Sequence, residues 1–135
     1  MMNNIPIQNT IRLANIQVSE VKLKSSGSFD KSLTDAVSME LKYVIQFIEK
    51  EDNSFIIEFK TTLVNEDASF KMKATLLALF KTELPIDEEF INSPFVQMNA
   101  PAIALPFLRS FISTISVNAG YNPIIIPSIN LTKIK

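Results

Sequence analysis

Histidine, cysteine and tryptophan are absent from this chain of 135 residues, and glycine occurs only twice. Without histidine and cysteine, the chain has no imidazole base, no thiolate nucleophile, no disulfide and none of the usual zinc ligand sets. Two glycines are too few for a glycine-rich loop that binds phosphate. We therefore expect no metal and no cofactor, and the chemistry of most small enzymes is excluded.

Positive charge is not in excess either. The chain has 13 Lys and Arg residues against 14 Asp and Glu residues, which gives a net charge of -1. Because a nucleic-acid-binding surface needs a basic stripe, we expect no nucleic-acid partner. Hydrophobic residues make up 47% of the chain, which is enough to build a packed core. The length is that of a single domain, predicted to cover residues 1–135.

No long hydrophobic run marks a membrane segment. The longest apolar stretch, residues 101–117, contains Pro106 and Arg109 and is shorter than the ~20 apolar residues of a membrane span. The N-terminal segment MMNNIPIQNT lacks the basic and apolar regions of a signal peptide. These features predict a cytoplasmic chain without membrane insertion, and the absence of cysteine agrees with that compartment.

Three segments alternate between apolar and polar residues with the period of a β-strand. Turn signals at residues 51–53 and 65–67 separate them, so they form an antiparallel meander. A further segment, 11–24, changes phase twice, which predicts bulges or contacts on both faces. It adds a fourth strand to a sheet over residues 11–83, and the polar segment 25–38 is a long loop. The predicted core-facing rows are Met39, Leu41, Tyr43, Ile45 and Phe47; Phe55, Ile57, Phe59, Thr61 and Leu63; and Phe70, Met72, Ala74, Leu76, Ala78 and Phe80.

One long helix is predicted over residues 99–120. Asn99 is a suitable N-cap, Pro101 fits the first turn, and Gly120 suits the C-terminal cap. An interior proline, Pro106, is expected to kink the helix because it lacks the N–H group and clashes with the preceding turn. The segment before it is loop-like, with one short helix at residues 87–92.

The apolar surface of the long helix is broader than one sheet contact requires. Two interpretations stay open: the helix is the buried core of a monomer, or one side packs on the sheet and the other on a second protomer. Only a narrow polar ridge interrupts the surface, formed by Arg109, Ser113 and Ser116. The predicted oligomer interface consists of Phe107, Phe111 and Ile115 on the helix, with Ile16 and Val18 on the first strand.

Apolar residues are also left over on the opposite face of the sheet and in the extended tail 121–135. Val44 and Leu79 lie on that face, and residues 123–127 hold three consecutive isoleucines between two prolines. Because large apolar patches mark interaction surfaces, the chain is predicted to self-associate, to bind apolar segments of other chains, or both. The alternative is an ordinary core with a dimer interface.

This order of elements resembles the SecB export-chaperone family: four long antiparallel strands, a proline-containing apolar helix and an apolar tail. Residues 11–83 match in topology only, whereas residues 99–131 match in motifs. The family's helix pattern, a proline followed by Phe-Pro-Tyr-Ala-Arg-Glu and an apolar end, is similar to Pro101, Leu105-Pro106-Phe107-Leu108-Arg109-Ser110 and Ile112. Its Gly/Thr-Phe turn, Leu-x-Leu and Pro-Val-Asn-Phe motifs resemble Gly120-Tyr121, Ile124-Ile125-Ile126 and Pro127-Ser128-Ile129-Asn130-Leu131.

The resemblance implies an α+β fold in which a four-stranded antiparallel sheet packs against one long helix in two layers. It also implies a cytosolic, ATP-independent holdase, assembled as a homotetramer from a dimer of dimers. Such a protein binds unfolded preproteins in long apolar grooves and has no catalytic residue. By position, the client-binding residues are Phe29, Met39, Leu41, Tyr43, Ile124 and Ile126.

Two departures from the family bear on SecA, which export members bind through an acidic surface of the sheet. Two of the matching positions hold Lys24 and Lys73, although Glu20 keeps its charge. The chain also stops at Lys135, before a second helix and a SecA-binding tail. SecA is a candidate partner, but these two departures argue against it. The alternatives are a SecB-like chaperone that guards an antitoxin, or a non-chaperone oligomeric interaction module.

The one acidic cluster, Asp87-Glu88-Glu89, is the strongest argument for an enzyme. A glycosidase needs two carboxyl groups held across a cleft, and adjacent acids on a polar segment do not provide that geometry. They are more typical of the first turn of a helix, where the dipole favours negative charge. We therefore predict that the chain is not an enzyme.

Overall fold

A computed structural model describes residues 9–48 and 50–127. In these residues, four antiparallel strands form one sheet, which confirms the predicted α+β class with one long helix. The strands are β1 (Ile11–Ser25), β2 (Val37–Phe47), β3 (Ser54–Asn65) and β4 (Phe70–Thr82), and their order in the sheet is β1-β4-β3-β2. A 3-10 turn and a π-helical turn complete the elements. In chain order the elements are β1 (Ile11–Ser25), the 3-10 turn Lys31–Thr34, β2 (Val37–Phe47), β3 (Ser54–Asn65), β4 (Phe70–Thr82), α1 (Glu88–Ile91), the π-helical turn Phe95–Asn99 and α2 (Ala100–Asn118).

The inner face of the sheet packs under α2 and forms the core. All the predicted core-facing residues of β3 and β4 are buried, and those of β2 are buried or half-buried. Phe55 and Phe80 stack with ring centroids 5.2 Å apart. Thr61, the one polar member of these rows, donates its Oγ1 hydrogen to the Glu40 carbonyl at 2.8 Å, so its hydroxyl is satisfied.

Strand β1 contains the two predicted bulges. Its pairing with β4 shifts between Leu13 and Asn15 and again between Val18 and Glu20, which leaves Ala14 and Ser19 as extra residues. Each extra residue resets the alternation by one position. As a result, one inner row collects Leu13, Ile16, Val18, Val21 and Leu23, opposite Phe80, Ala78, Leu76, Ala74 and Met72 of β4.

Because β1 and β2 lie at opposite edges of the sheet, residues 26–36 must cross its end. The Ser26 amide donates to the Ser69 carbonyl at 2.9 Å, which ties this crossover loop to the β3–β4 turn. Asp30 caps the 3-10 turn by accepting hydrogen bonds from the hydroxyl and the amide of Ser32, at 2.6 and 2.9 Å. Those bonds lower the pKa of Asp30, so the carboxylate is charged at neutral pH.

The predicted start of the long helix is wrong in one respect. Asn99 has helical dihedral angles (φ -72°, ψ -42°) and its side chain makes no capping hydrogen bond. Because the chain already turns helically from Phe95, Asn99 lies inside a continuous helical segment and does not have the extended backbone of a cap residue. Helix α2 then continues through Pro106 to Asn118. The short helix predicted at residues 87–92 is confirmed as α1.

Candidate functional site

The tail that follows α2 is held to the helix by a buried serine. The Ser116 hydroxyl accepts a hydrogen bond from the Ile124 amide at 3.0 Å and donates one to the Ser113 carbonyl at 2.8 Å. The residue pattern of the helix predicts Ser116 on its polar ridge, but the side chain is fully buried. The prediction is wrong because the tail folds back over this part of α2 and covers the hydroxyl.

A second set of hydrogen bonds fixes the start of the tail to the crossover loop. The Asn122 amide donates to the Lys31 carbonyl at 3.0 Å, and its carbonyl accepts from Thr34 Oγ1 at 2.6 Å. The Asn122 side-chain amide donates to the Asp35 carboxylate at 2.9 Å. The tail therefore begins at a defined place, next to the turn that leads into β2.

Tyr121 reinforces this attachment at the end of the sheet. Its hydroxyl hydrogen-bonds Ser25 at the end of β1. Its ring packs edge-on against Phe70 at the start of β4, with centroids 5.1 Å apart. This predicted turn residue therefore joins the helix, the sheet and the tail.

The three isoleucines of the tail alternate in burial. Ile124 and Ile126 are 2% and 9% exposed and belong to the same hydrophobic cluster as Leu41 of β2, whereas Ile125 is 82% exposed. The alternation follows from the extended backbone, in which successive side chains point in opposite directions. Three predicted client-binding residues are thus core residues here, and the exposed isoleucine was not among those predicted. A client contact by the three stays a prediction.

Apart from the buried Leu41, the inner row of β2 is only half-buried, because β2 is an edge strand and α2 contacts β1 and β4. Tyr43 packs against Phe59 with ring centroids 5.8 Å apart, and its burial raises the pKa of the phenol, which stays neutral at physiological pH. Met39 and Tyr43 were predicted to bind clients, and the same strand alternation points to Ile45 and Phe47, the other half-buried residues of this row. We call these residues the β2–tail surface: Met39, Tyr43, Ile45 and Phe47 of β2 with Ile125 of the tail.

Phe29, also predicted to bind clients, lies in the crossover loop and is fully exposed. Its φ angle is +55°, in the left-handed region that a bulky side chain rarely adopts. The loop is nevertheless held by the Asp30 cap on one side and the Ser26–Ser69 bond on the other. The structure therefore places an aromatic ring in solvent, apart from the hydrophobic core.

The predicted oligomer-interface residues occupy two surfaces. Phe107 on α2 is 48% exposed, with Ile103 and Val117 also exposed on the same helix. Four others, all half-buried, contact the core of their own chain. These four are Phe111 and Ile115 on α2 and Ile16 and Val18 on the inner face of β1.

The sequence model of a family described as "Preprotein translocase subunit SecB" matches residues 8–134. This chain belongs to the SecB family. A curated relative is 26% identical over 128 residues, which cover 93% of this chain and 83% of the relative. It is the "Uncharacterized protein MJ0357" of Methanocaldococcus jannaschii.

Two solved structures resemble this SecB-family chain. The Mycobacterium tuberculosis Rv1957 SecB-like chaperone, in complex with a ChAD peptide from the Rv1956 HigA1 antitoxin, superposes with a TM-score of 0.68 at 11% identity. The match covers 90% of this chain and 91% of that one. A protein of unknown function from Streptococcus agalactiae gives a TM-score of 0.53 at 10% identity, over 90% of this chain and 100% of that one. The fold is SecB-like, and together with the family it supports a chaperone role.

Two other features of this SecB-family chain are the acidic cluster 87–89 and the apolar helix. Asp87 accepts a hydrogen bond from the Phe90 amide at 2.8 Å, so the acidic cluster caps α1 as predicted. Within residues 9–48 and 50–127, no group of three or more acidic side chains is placed to hold a metal ion. The segment Phe95–Asn118 is long and apolar enough to cross a membrane by length and composition, which is also true of core helices in soluble proteins.

Proposed function

We propose that this SecB-family chain is an ATP-independent holdase that binds unfolded polypeptide segments along the β2–tail surface. The observation that supports this most directly is the half-buried inner row of an edge strand. The tail, which begins beside the turn that leads into β2, presents Ile125 to solvent. A folded core normally covers such a row. Here the row offers alternate apolar side chains, the spacing that suits an extended client chain.

Binding on this surface needs no covalent step. A client that buries ~400 Å² of apolar area gains roughly 10 kcal/mol, at about 25 cal/mol per Å², before the cost of ordering is subtracted. Met39 is flexible and polarisable, so it adapts to varied side chains. Leu41, Ile124 and Ile126 support the surface from beneath, and Phe29 supplies a separate aromatic contact on the crossover loop.

Two classes of client fit this proposal. The description of the family favours unfolded preproteins on their way to export, with SecA as the candidate motor. The similar fold of the M. tuberculosis chaperone, solved with an antitoxin peptide, favours an antitoxin segment. The genes beside this one separate the two classes, because an antitoxin client is expected to be encoded next to its chaperone.

We also propose that the chain acts in the cytoplasm as a homotetramer, a dimer of dimers. The exposed apolar residues of α2 support this, because they leave a large apolar area on one side of the helix. In the single chain β1 is an edge strand, so it can contact a second protomer.

The holdase proposal is tested by diluting chemically unfolded luciferase into buffer with the purified chain and following light scattering. The wild-type chain is expected to suppress aggregation at near-stoichiometric amounts. In the double variant Tyr43→Thr/Ile125→Thr, we expect about tenfold more protein to be needed, since two side chains each lose about 0.7 kcal/mol of apolar contact. Ile125→Thr alone, at an exposed position, is expected to need about threefold more.

Val44→Thr is the matched control, because Val44 is the next residue on β2 but lies on the outer face and is exposed. It should suppress aggregation like the wild type. Equal losses in Val44→Thr and Ile125→Thr would contradict the assignment of the β2–tail surface. A chain that suppresses no aggregation, but binds one folded partner, would instead identify the non-chaperone interaction module.

A further inference from the structure

The outer face of the sheet, opposite α2, places lysines directly against one another across β1 and β4. Lys22 pairs with Lys73 and Lys24 pairs with Lys71 in the strand register, and all four side chains are exposed. In an antiparallel pair, facing Cβ atoms are about 5 Å apart, and like charges at that distance are destabilising. We call these four residues the lysine quartet.

None of the four ammonium groups forms an ion pair in the part of the chain that the structure describes, so no direct contact with a carboxylate neutralises this repulsion there. The neighbouring pair of lysines on the same face, Lys42 and Lys60, differs in this respect. Lys60 Nζ lies 3.6 Å from Glu58 Oε1, so that pair is partly neutralised. The lysine quartet is therefore a concentrated positive patch on a chain whose net charge is -1.

We propose that the lysine quartet binds a short acidic segment of a partner protein, on the sheet face opposite the client surface. The two rungs of the quartet are about 7 Å apart along the strands. Carboxylates at alternate positions of an extended peptide have the same spacing, so two acidic residues can each meet one rung. Charge-assisted hydrogen bonds from the ammonium groups would then replace the repulsion between facing lysines.

The surroundings of the quartet favour a short acidic peptide over a long polyanion. Glu20 lies on the adjacent rung of β1, Glu40 lies on the outer face of β2, and Glu66 and Asp67 occupy the β3–β4 turn. These carboxylates border the patch, and they repel a nucleic acid or an anionic membrane that extends past it. A segment of a few residues fits inside this border.

The test uses a fluorescent peptide with glutamates at three alternate positions, and its glutamine counterpart as the probe control. At about 50 mM salt, the wild-type chain is expected to bind the glutamate peptide at least tenfold more tightly than the glutamine peptide. At about 200 mM salt, its affinity for the glutamate peptide should be clearly lower than at about 50 mM. In Lys71→Gln/Lys73→Gln, we expect about tenfold weaker binding. That variant should melt no lower than the wild type, because it removes repulsion between facing charges.

Lys42→Gln/Lys60→Gln removes the same number of lysines from the same face and should keep the peptide affinity. Equal affinities in the wild type and in Lys71→Gln/Lys73→Gln would overturn the proposal. So would tighter binding of a thymidine oligonucleotide or of vesicles with anionic lipid. Holdase activity of Lys71→Gln/Lys73→Gln should be unchanged, so the outcome is independent of the client-binding proposal.

Discussion

Ser116 connects the tail to the helix, and Asn122 connects the tail to the crossover loop. Each uses both its backbone and its side chain. For Ser116, the Tyr121 backbone amide donates to the carbonyl at 3.0 Å, and the Ile124 backbone amide donates to the hydroxyl. A serine on a helix gives no local signal for such a role, because its hydroxyl is equally suited to solvent. The role depends on the tail folding over the helix, which joins residues eight positions apart.

We predict that Ser116→Ala lowers the free energy of unfolding by about 1–3 kcal/mol, because it leaves the buried Ile124 amide without an acceptor. Urea denaturation followed by circular dichroism measures the effect. Ser110→Ala is the matched control, since Ser110 is exposed on the same helix and should change stability by less than about 0.5 kcal/mol. Equal stabilities of the two variants would mean that the tail is not anchored through this hydroxyl.

Among the elements, the strands were the easiest to predict and the start of α2 the hardest. Strand alternation is a local property, since successive side chains point to opposite faces of the sheet. The inward-facing rows of β2, β3 and β4 follow directly from it. The bulges of β1 were also visible as phase changes. The π-helical turn before α2 was not visible in the sequence, because no side-chain cap marks its start and the contacts of the buried Val96 form only in the folded core.

Deletion of Ser19 tests the importance of the second bulge. Without the extra residue, Glu20 directly follows Val18 just as its partner Thr75 adjoins Leu76, so regular alternation keeps Val21 and Leu23 on the inner face and Lys22 and Lys24 on the outer face. We expect the free energy of unfolding to change by less than about 1 kcal/mol, because the inner row of β1 is kept and only the local bend of the bulge is lost. The measurement is the urea midpoint.

The substitution Ser19→Ala keeps the extra residue and should stay within about 0.5 kcal/mol of the wild type, because Ser19 is exposed. A deletion variant about 3 kcal/mol less stable than Ser19→Ala would show that Val21 and Leu23 lose their inner positions without the extra residue. That result would contradict the register in which β1 and β4 pair regularly once Ser19 is removed.

For the whole molecule, the decisive feature is where α2 lies. It packs over β1 and β4 and so leaves β2 at the open edge of the core, where the tail provides part of the cover. The other side of α2 presents apolar side chains to solvent in the single chain. This one placement creates both the proposed client surface and the proposed subunit interface.

We predict that Phe107→Ser shifts the assembly from about four times 15.2 kDa to smaller species, because it removes an exposed aromatic group from the proposed interface. Sedimentation velocity measures the mass distribution. Val44→Thr is a matched control, since Val44 is 53% exposed against 48% for Phe107, but lies on the outer face of the sheet. An unchanged mass for Phe107→Ser, or equal dissociation of both variants, would contradict the interface.

Composition and local patterns were enough to exclude histidine and cysteine chemistry and to predict the three alternating strands, the phase changes of β1 and the apolar helix. Those patterns are local, because a residue and its near neighbours set the face that each side chain takes. The pairing of β1 with β4 and the anchoring of the tail by Ser116 and Asn122 became known from the folded chain. The same fold turns Ile125 outward between two buried isoleucines and brings four lysines together. These outcomes depend on contacts between segments far apart in the chain, and no local pattern encodes such contacts.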